Sequence, residues 1–338
     1  MTVSNELLYT TLQSLRKQRV DTLFKTTPLL GMLKARKAWK VGNHGPRIDI
    51  PLVLNTHSTL SAFPTGTERA NRTVRDVMGI MQFNPADLGA PLWISRKEEA
   101  ENSGDGMVVK IATARWDAAM GGAKREVNKQ LIAGSSVVGN QAGLNTLYGH
   151  SSVTANGFLE GRTSQTNTVG GLAKSNGQIG LKNQWADCND DFSVYGLGAM
   201  NSLAIDTRHY SELGTADMII ASSTMFANYK ASLFGVERFT QKDPLDAGRL
   251  SLVFDDAEMQ PDADMPTNAT ADFEASAYFL SSKGIEVDVW SGCDFDMDPW
   301  TSLANGEQVG RVSFLYLKLQ LVARSLASCG FLSDGNTN

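Results

Sequence analysis

Asp294, Asp296 and Asp298 are the residues of this 338-residue chain that come nearest to a metal-ligating pattern. Their alternate spacing matches the first three oxygen ligands of a calcium loop. Pro299, however, stands where that loop needs its glycine, and Asn305 where it needs a bidentate glutamate. Gly170-Gly171-Leu172-Ala173-Lys174-Ser175 carries the Lys-Ser of a phosphate-binding loop, but its glycines are wrongly spaced to cradle a phosphate, and it reads as a flexible loop. His44, His57, His150 and His209 lie in unlike contexts and form no pair of ligands at helical spacing. Cys188, Cys293 and Cys329 are far apart, odd in number and outside any nucleophile motif, so they read as reduced thiols in a cytosolic setting. The six tryptophans read as packing residues. No catalytic constellation emerges, and the expectation is a protein without catalytic residues, cofactor or metal.

A hydrophobic fraction of 42% and a charged fraction of 20% describe a folded globular chain, long enough for two or three domains. No apolar run reaches the length of about 18 residues needed for a membrane helix, and Met1-Thr-Val-Ser-Asn-Glu lacks the regions of a signal peptide. The net charge of −5 is unevenly placed. Residues 1–47 set nine basic side chains against Glu6 and Asp21, whereas residues 243–298 set fourteen acidic ones against Arg249 and Lys283. Such asymmetry suits a basic arm that meets nucleic acid or the acidic surface of another copy; two solvated faces are the plainer reading.

The elements follow from periodicity. Leu8, Leu12 and Leu15 make a short apolar stripe capped by Ser4, with Arg16, Lys17 and Arg19 nearby. Thr27-Pro28 reads as a helix end, followed by a basic, extended piece to Gly45-Pro46. Ile48, Ile50, Leu52 and Leu54 alternate as in a strand, and further strand-like pieces return at 77–81 and 91–94. Between them lies a polar stretch with Arg69, Arg72 and Arg75, so the whole reads as a long two-stranded loop. Such a hairpin is marginal in water, and it lies either on another subunit or on its own domain.

Residues 95–134 read as a long helix with a break near its start and capping residues at Ser103-Gly104-Asp105. Val108, Ala112, Trp116, Ala119, Met120, Ala123, Val127 and Leu131 fall on one face. Gly121-Gly122 in the middle suggests a close approach or a bend. A Gly-, Asn- and Ser-rich passage follows to Gly180, then helices at 197–213 and after Ser222, a buried strand at 217–221, and strands near 250–254, 278–280 and 285–290. Alternation from Val309 to Ala323 predicts one long strand, and the tail from Ser333 reads as loose.

This order resembles the major capsid proteins of tailed bacteriophages, the Hong Kong ninety-seven capsid fold. Thr27-Pro28-Leu29-Leu30-Gly31, Glu101-Asn102-Ser103-Gly104, Gly143-Leu144 and Gly214-Thr215-Ala216-Asp217-Met218-Ile219-Ile220-Ala221-Ser222 are similar to family wording, and their shared order spans nearly the whole chain. The passage at 150–190 departs from the pattern as a variable loop. The resemblance implies an α+β fold: an N-terminal arm at 1–45, an extended loop at 46–94, a peripheral domain with a spine helix at 95–139, an axial α/β domain at 140–300, and the peripheral C-terminal strand at 301–338. It implies hexamers and pentamers closing into an icosahedral shell around double-stranded DNA, assembled in the host bacterial cytoplasm. The implied partners are further copies of the chain, a separate scaffolding protein with none fused to this chain, a portal at one vertex, DNA held without sequence preference, and a decoration protein.

Arg16, Lys17, Arg19, Arg69, Arg72 and Arg75 are then candidate inter-subunit contacts, with Glu98, Glu99 and Glu101 as acidic partners for the loop arginines. Some relatives join loop lysine to a neighbour's asparagine by an isopeptide bond. No lysine lies between Lys40 and Lys97, so that bond is not expected here. A nanocompartment shell of the same fold, holding an enzyme instead of DNA, and a soluble α/β enzyme with an unrecognised site are the alternatives.

Overall fold

The computed structural model describes residues 27–53, 78–101, 105–133, 146–148, 157–161, 165–174, 181–189, 192–209, 214–233, 252–265, 275–305 and 308–334. Within them Pro28 opens a helix, α1 (Pro28–Ala35); the helix that the sequence reading ends at Thr27-Pro28 lies outside the described residues. Proline suits the first helical position, because its φ is already helical and the N–H it lacks would have no partner there. Leu29, Leu30, Met32 and Leu33 are buried, and β1 (Trp39–Gly42) pairs in parallel with β14 (Ile285–Trp290). Residues 28–42, which the sequence reading assigns to an arm, are therefore built into the core.

β2 (Ile48–Val53) and β3 (Met78–Phe83) form an antiparallel hairpin stem, and β4 (Ala86–Ser95) carries the chain onward from it. At Ser95 a capping box starts α2 (Arg96–Glu101). The Glu98 N–H donates to Ser95 Oγ at 3.2 Å, and the Ser95 N–H donates back to Glu98 Oε2 at 3.1 Å, so two orphan amides of the first turn are satisfied. α3 (Asp105–Ala133) follows after a break. Its 29 residues span about 43 Å. Ala112, Trp116, Met120, Val127 and Leu131 of the predicted stripe are buried, with Ala119 and Ala123 packed beside them. Gly121 and Gly122 are exposed, and a Cβ on either would meet nothing within 4 Å, so no close approach inside the chain accounts for them.

α3 lies over a sheet organised on β17 (Gln308–Ala323). One edge of β17 takes β4 from Gly310↔Ser95 to Leu319↔Ala86. The other takes β16 (Thr301–Asn305), β15 (Asp296–Met297) and β14 in turn. The predicted alternation holds: Leu315, Leu317, Leu319 and Leu321 are buried, while Phe314 is 46% exposed. Glu286 on β14 accepts from Lys40 on β1 and from Arg324 Nε at 2.7 Å, tying three strands together.

The glycine-rich passage is more ordered than a flexible loop. β5 (Thr146–Tyr148) pairs with β6 (Gly157–Leu159), and β7 (Thr168–Val169) with β8 (Leu172–Ala173). Gly170 and Gly171, at φ +56° and +84°, make the two-residue turn between the last two. The Gly170 carbonyl accepts the Gln82 N–H at 2.9 Å, which seats the turn against the hairpin stem.

The second sheet runs β11 (Leu252–Phe254), β12 (Ala257–Pro261), β10 (Met218–Ala221), β13 (Ala275–Leu280), β18 (Gly330–Asp334), β9 (Gln184–Asp187). α4 (Leu197–His209) and α5 (Ser223–Leu233) pack on it around Met200, Leu203, Phe226 and Phe279. Ser222 caps α5, its Oγ accepting the Met225 N–H at 3.3 Å. Ser333 and Asp334, read from sequence as the start of a loose tail, are rungs of β18 against β13. The burial of Ser333 is sustained by hydrogen bonds: its Oγ accepts the Trp185 indole N–H at 3.3 Å.

Candidate inter-subunit surfaces

The hairpin stem has two unlike faces. Ile48, Ile50 and Leu52 pack against the core beside buried Met81 and Phe83, so this face leans on its own chain. The opposite face carries the cross-strand pairs Val53↔Met78, Pro51↔Ile80 and Asp49↔Gln82. Val53, Met78 and Ile80 remain 63%, 68% and 55% exposed. The pair nearest the base is polar, with Arg47 held by Asp49 at 2.7 Å. An apolar patch thus begins one turn of the pleat above a charged foot and points away from the chain's own core.

A second apolar surface is concave. A cleft of about 420 Å³ opens between α3 and the β4–β17 ladder, lined by Ala119, Val127, Leu88, Pro91, Leu315 and Leu317. Gly122 lies on its wall, so the missing side chain widens the cleft where no atom of this chain fills it. Phe295 forms the floor and stacks on Trp39 at 6.5 Å. A third patch sits on the other sheet's helices: Val194 and Tyr195 in the π-helical turn Phe192–Gly196, then Leu197 and Ile205 on α4, are each more than 40% exposed.

Arg16, Lys17, Arg19, Arg69, Arg72 and Arg75 lie outside the described residues, as does the apolar stripe of Leu8, Leu12 and Leu15. Glu98 is engaged within its own chain: beyond the capping box, its Oε1 accepts Arg115 of α3 at 2.5 Å. The Ser95 N–H, then the Arg115 guanidinium and the Ser95 hydroxyl, hold its carboxyl below the usual range. Glu99 and Glu101 belong to α2, but their side chains lie outside the described set. Part of the charge asymmetry is consumed internally. Arg36 reaches Asp217 at 3.9 Å, Lys40 and Arg324 share Glu286, and Arg208 pairs with Asp255 at 2.6 Å. Asp288, beside His44 at 3.9 Å, has its carboxyl pushed up by burial and by Glu286.

The other sequence motifs also find places. Asp296 belongs to an edge strand, and the Asp298 carbonyl accepts Ser313 Oγ at 2.6 Å, so the aspartates follow β17 and do not wrap around a point. Among the described residues no three acidic, histidine or cysteine side chains converge as a metal group. Cys188 and Cys329 are buried, which pushes their thiols up to about 12 and about 11 and leaves them unreactive at neutral pH. Lys174 is fully buried in a cluster of polar side chains, far from an open phosphate cradle. Sequence reasoning missed the cleft, whose walls come from three separated segments, and the patch at 194–205, whose apolar residues have no clear periodicity.

No protein-family model and no curated protein sequence matches the chain. Solved structures do match over nearly its whole length. The cyanophage A-1(L) capsid asymmetric unit aligns with a TM-score of 0.65 at 16% identity, covering 92% of this chain and 93% of that one. The capsid of an empty GTA particle aligns at 0.55 and 15% identity, over 89% and 95%. The holo-SrpI encapsulin complex from Synechococcus elongatus PCC 7942 aligns at 0.50 and 8% identity, over 90% and 89%. The fold is that of these capsid and shell subunits, the α+β arrangement that the order of elements suggested.

Proposed function

We propose that this chain is the major capsid protein of a tailed bacteriophage, with a structural and not an enzymatic role. Copies gather into hexamers and pentamers and close into an icosahedral head around double-stranded DNA, built in the host bacterial cytoplasm. One observation carries the reading: the chain aligns with a capsid subunit over 92% of its length and leaves an exposed apolar face and a concave apolar cleft on different elements. Surfaces of that kind favour head-to-tail contacts, which form closed assemblies when their rotations close. Stable subunit interfaces bury on the order of 1,200–2,000 Å², so several patches per copy are needed, and three are available. The division into arm, extended loop, peripheral and axial domains belongs to the same reading, with the arm shortened to the residues before Pro28.

A separate scaffolding protein, a portal at one vertex and DNA contacted without sequence preference are the partners this reading brings, and a decoration protein is an optional addition to them. Arg16, Lys17 and Arg19 are the arm's contribution to DNA or to a neighbour's acidic surface, and Arg69, Arg72 and Arg75 the loop's contribution to a neighbour, with Glu99 and Glu101 as its acidic partners. The encapsulin likeness supports a second reading, an enzyme-holding shell, but the likeness to the cyanophage capsid is the greater. Cryo-electron microscopy of particles purified from infected cells decides between them. Heads filled with DNA are expected; shells filled with one host enzyme, or a persistent monomer, overturn the reading.

A further inference from the structure

The most unusual chemistry in the fold lies in the glycine-rich passage, away from every surface described above. Lys174, at the end of β8, and Glu160, just after β6, are both fully buried, and their charged groups stand 3.6 Å apart. Asn183, which precedes β9, is 4% exposed and lies between them. Lys174 Nζ donates to Asn183 Oδ1 at 2.9 Å and to the Phe158 carbonyl. The Glu160 backbone N–H donates to the same Oδ1 at 2.9 Å. Asn183 Nδ2 is held by the carbonyls of Glu160 and Gln184 at 2.9 and 2.8 Å. The Glu160 carboxylate is fixed in turn by the backbone N–H groups of Thr166 and Asn167, at 3.1 and 2.9 Å.

These groups have the parts of an acyl-transfer site: an amine, an amide carbonyl beside it, a backbone donor on the carbonyl oxygen, and a carboxylate able to carry protons. We infer that Lys174 and Asn183 join within one chain as an isopeptide, with Glu160 moving the protons. Glu160 stands 3.6 Å from Nζ, close enough to take a proton from it, which frees the nitrogen lone pair. That lone pair attacks Asn183 Cγ and forms the C–N bond. The carbonyl π electrons move to Oδ1, where the Glu160 N–H meets the developing charge. Collapse restores the carbonyl and breaks the Cγ–Nδ2 bond. Of the three protons on Nζ, one stays on the new amide and one reaches Nδ2, which leaves as ammonia. The third rests on Glu160 until solvent takes it. No oxidant or external reagent is required.

The bond pins β8 to the strand entering the second sheet. It differs from an inter-subunit cross-link in leaving the chain at monomer length on a denaturing gel. Intact-mass spectrometry of full-length protein from assembled particles tests it, together with fragmentation of the proteolytic peptides. The expected result is a chain lighter than its sequence by one ammonia, with a branched peptide joining Lys174 to Asn183. Glu160→Gln, nearly equal in size, should restore the full mass in soluble protein. If that variant does not fold, the unsubstituted chain still decides the matter. Full sequence mass, cleavage by trypsin after Lys174, or a branch to Gln165, whose Oε1 also stands 3.4 Å from Nζ, overturns the assignment.

Discussion

Replacing Met78 and Ile80 by threonine separates assembly from folding. Both side chains stand on the outer face of the hairpin stem, 68% and 55% exposed. Full burial of such a side chain is worth about 1.5–3 kcal/mol. A neighbour covering the exposed remainder of both therefore gains about 2–3 kcal/mol per copy on the same scale. Threonine keeps the β-branched shape that suits a strand, and exposed substitutions of this kind move stability by about 0.5 kcal/mol or less. At about 1.4 kcal/mol per tenfold, the concentration needed to form shells should rise about 30- to 140-fold, while the melting temperature of the unassembled subunit stays put. Light scattering across a dilution series gives the first quantity and calorimetry the second. Shells forming at an unchanged concentration would refute the assignment of this face to an interface. A melting temperature lowered by many degrees would show instead that the face is packed within the chain.

Glu98 has its carboxyl held low, so its contribution to stability is present above the ordinary carboxylate range and is lost as pH falls below it. Glu98→Gln should accordingly flatten part of the acid loss seen in denaturation curves below about pH 4, and Ser95→Ala should cost about 1 kcal/mol at neutral pH. Gly170→Ala puts a Cβ 2.6 Å from the Met81 Cβ at a φ of +56°. Destabilisation by more than about 1 kcal/mol is expected, with faster hydrogen exchange at the Gln82 amide that the turn carbonyl accepts. Boiled mature particles should run as one band near the monomer mass, because no lysine lies between Lys40 and Lys97 to join the loop to a neighbour; a ladder resistant to reductant would contradict this.

Where one physical rule dominates a segment, the sequence was legible. The stripe from Ala112 to Leu131 and the alternation from Phe314 to Leu321 each place large apolar groups at a single period, and both elements lie where that period predicts. The helix opened by Pro28 was not legible because a proline fits the first turn of a helix as well as the break after one, and the stretch Leu29, Leu30, Met32 and Leu33 that it buries is too short to show a period. β18 escaped notice because its buried residues include polar Ser333 and Asp334; the Ser333 hydroxyl is met by tertiary partners, Trp185 and Asp187. The cleft beside α3 is a product of chain crossings that no window of sequence contains, whereas the Lys174–Asn183–Glu160 cluster lies within residues 160–183 but has no periodicity or motif to mark it. The Glu98–Arg115 pair likewise joins residues on either side of a helix break, which made Glu98 look available to a neighbour.

The ladder between β4 and β17 also has a mechanical meaning. β4 continues directly from the hairpin stem, and its ten rungs with β17 would be loaded by any pull on that hairpin along the strand. Force along a strand loads its hydrogen bonds side by side, so they must give way together and not one after another as in a zipper opened from its end. Tension arriving at the hairpin is thereby spread into the sheet and through β14 to β1 before any single bond bears it.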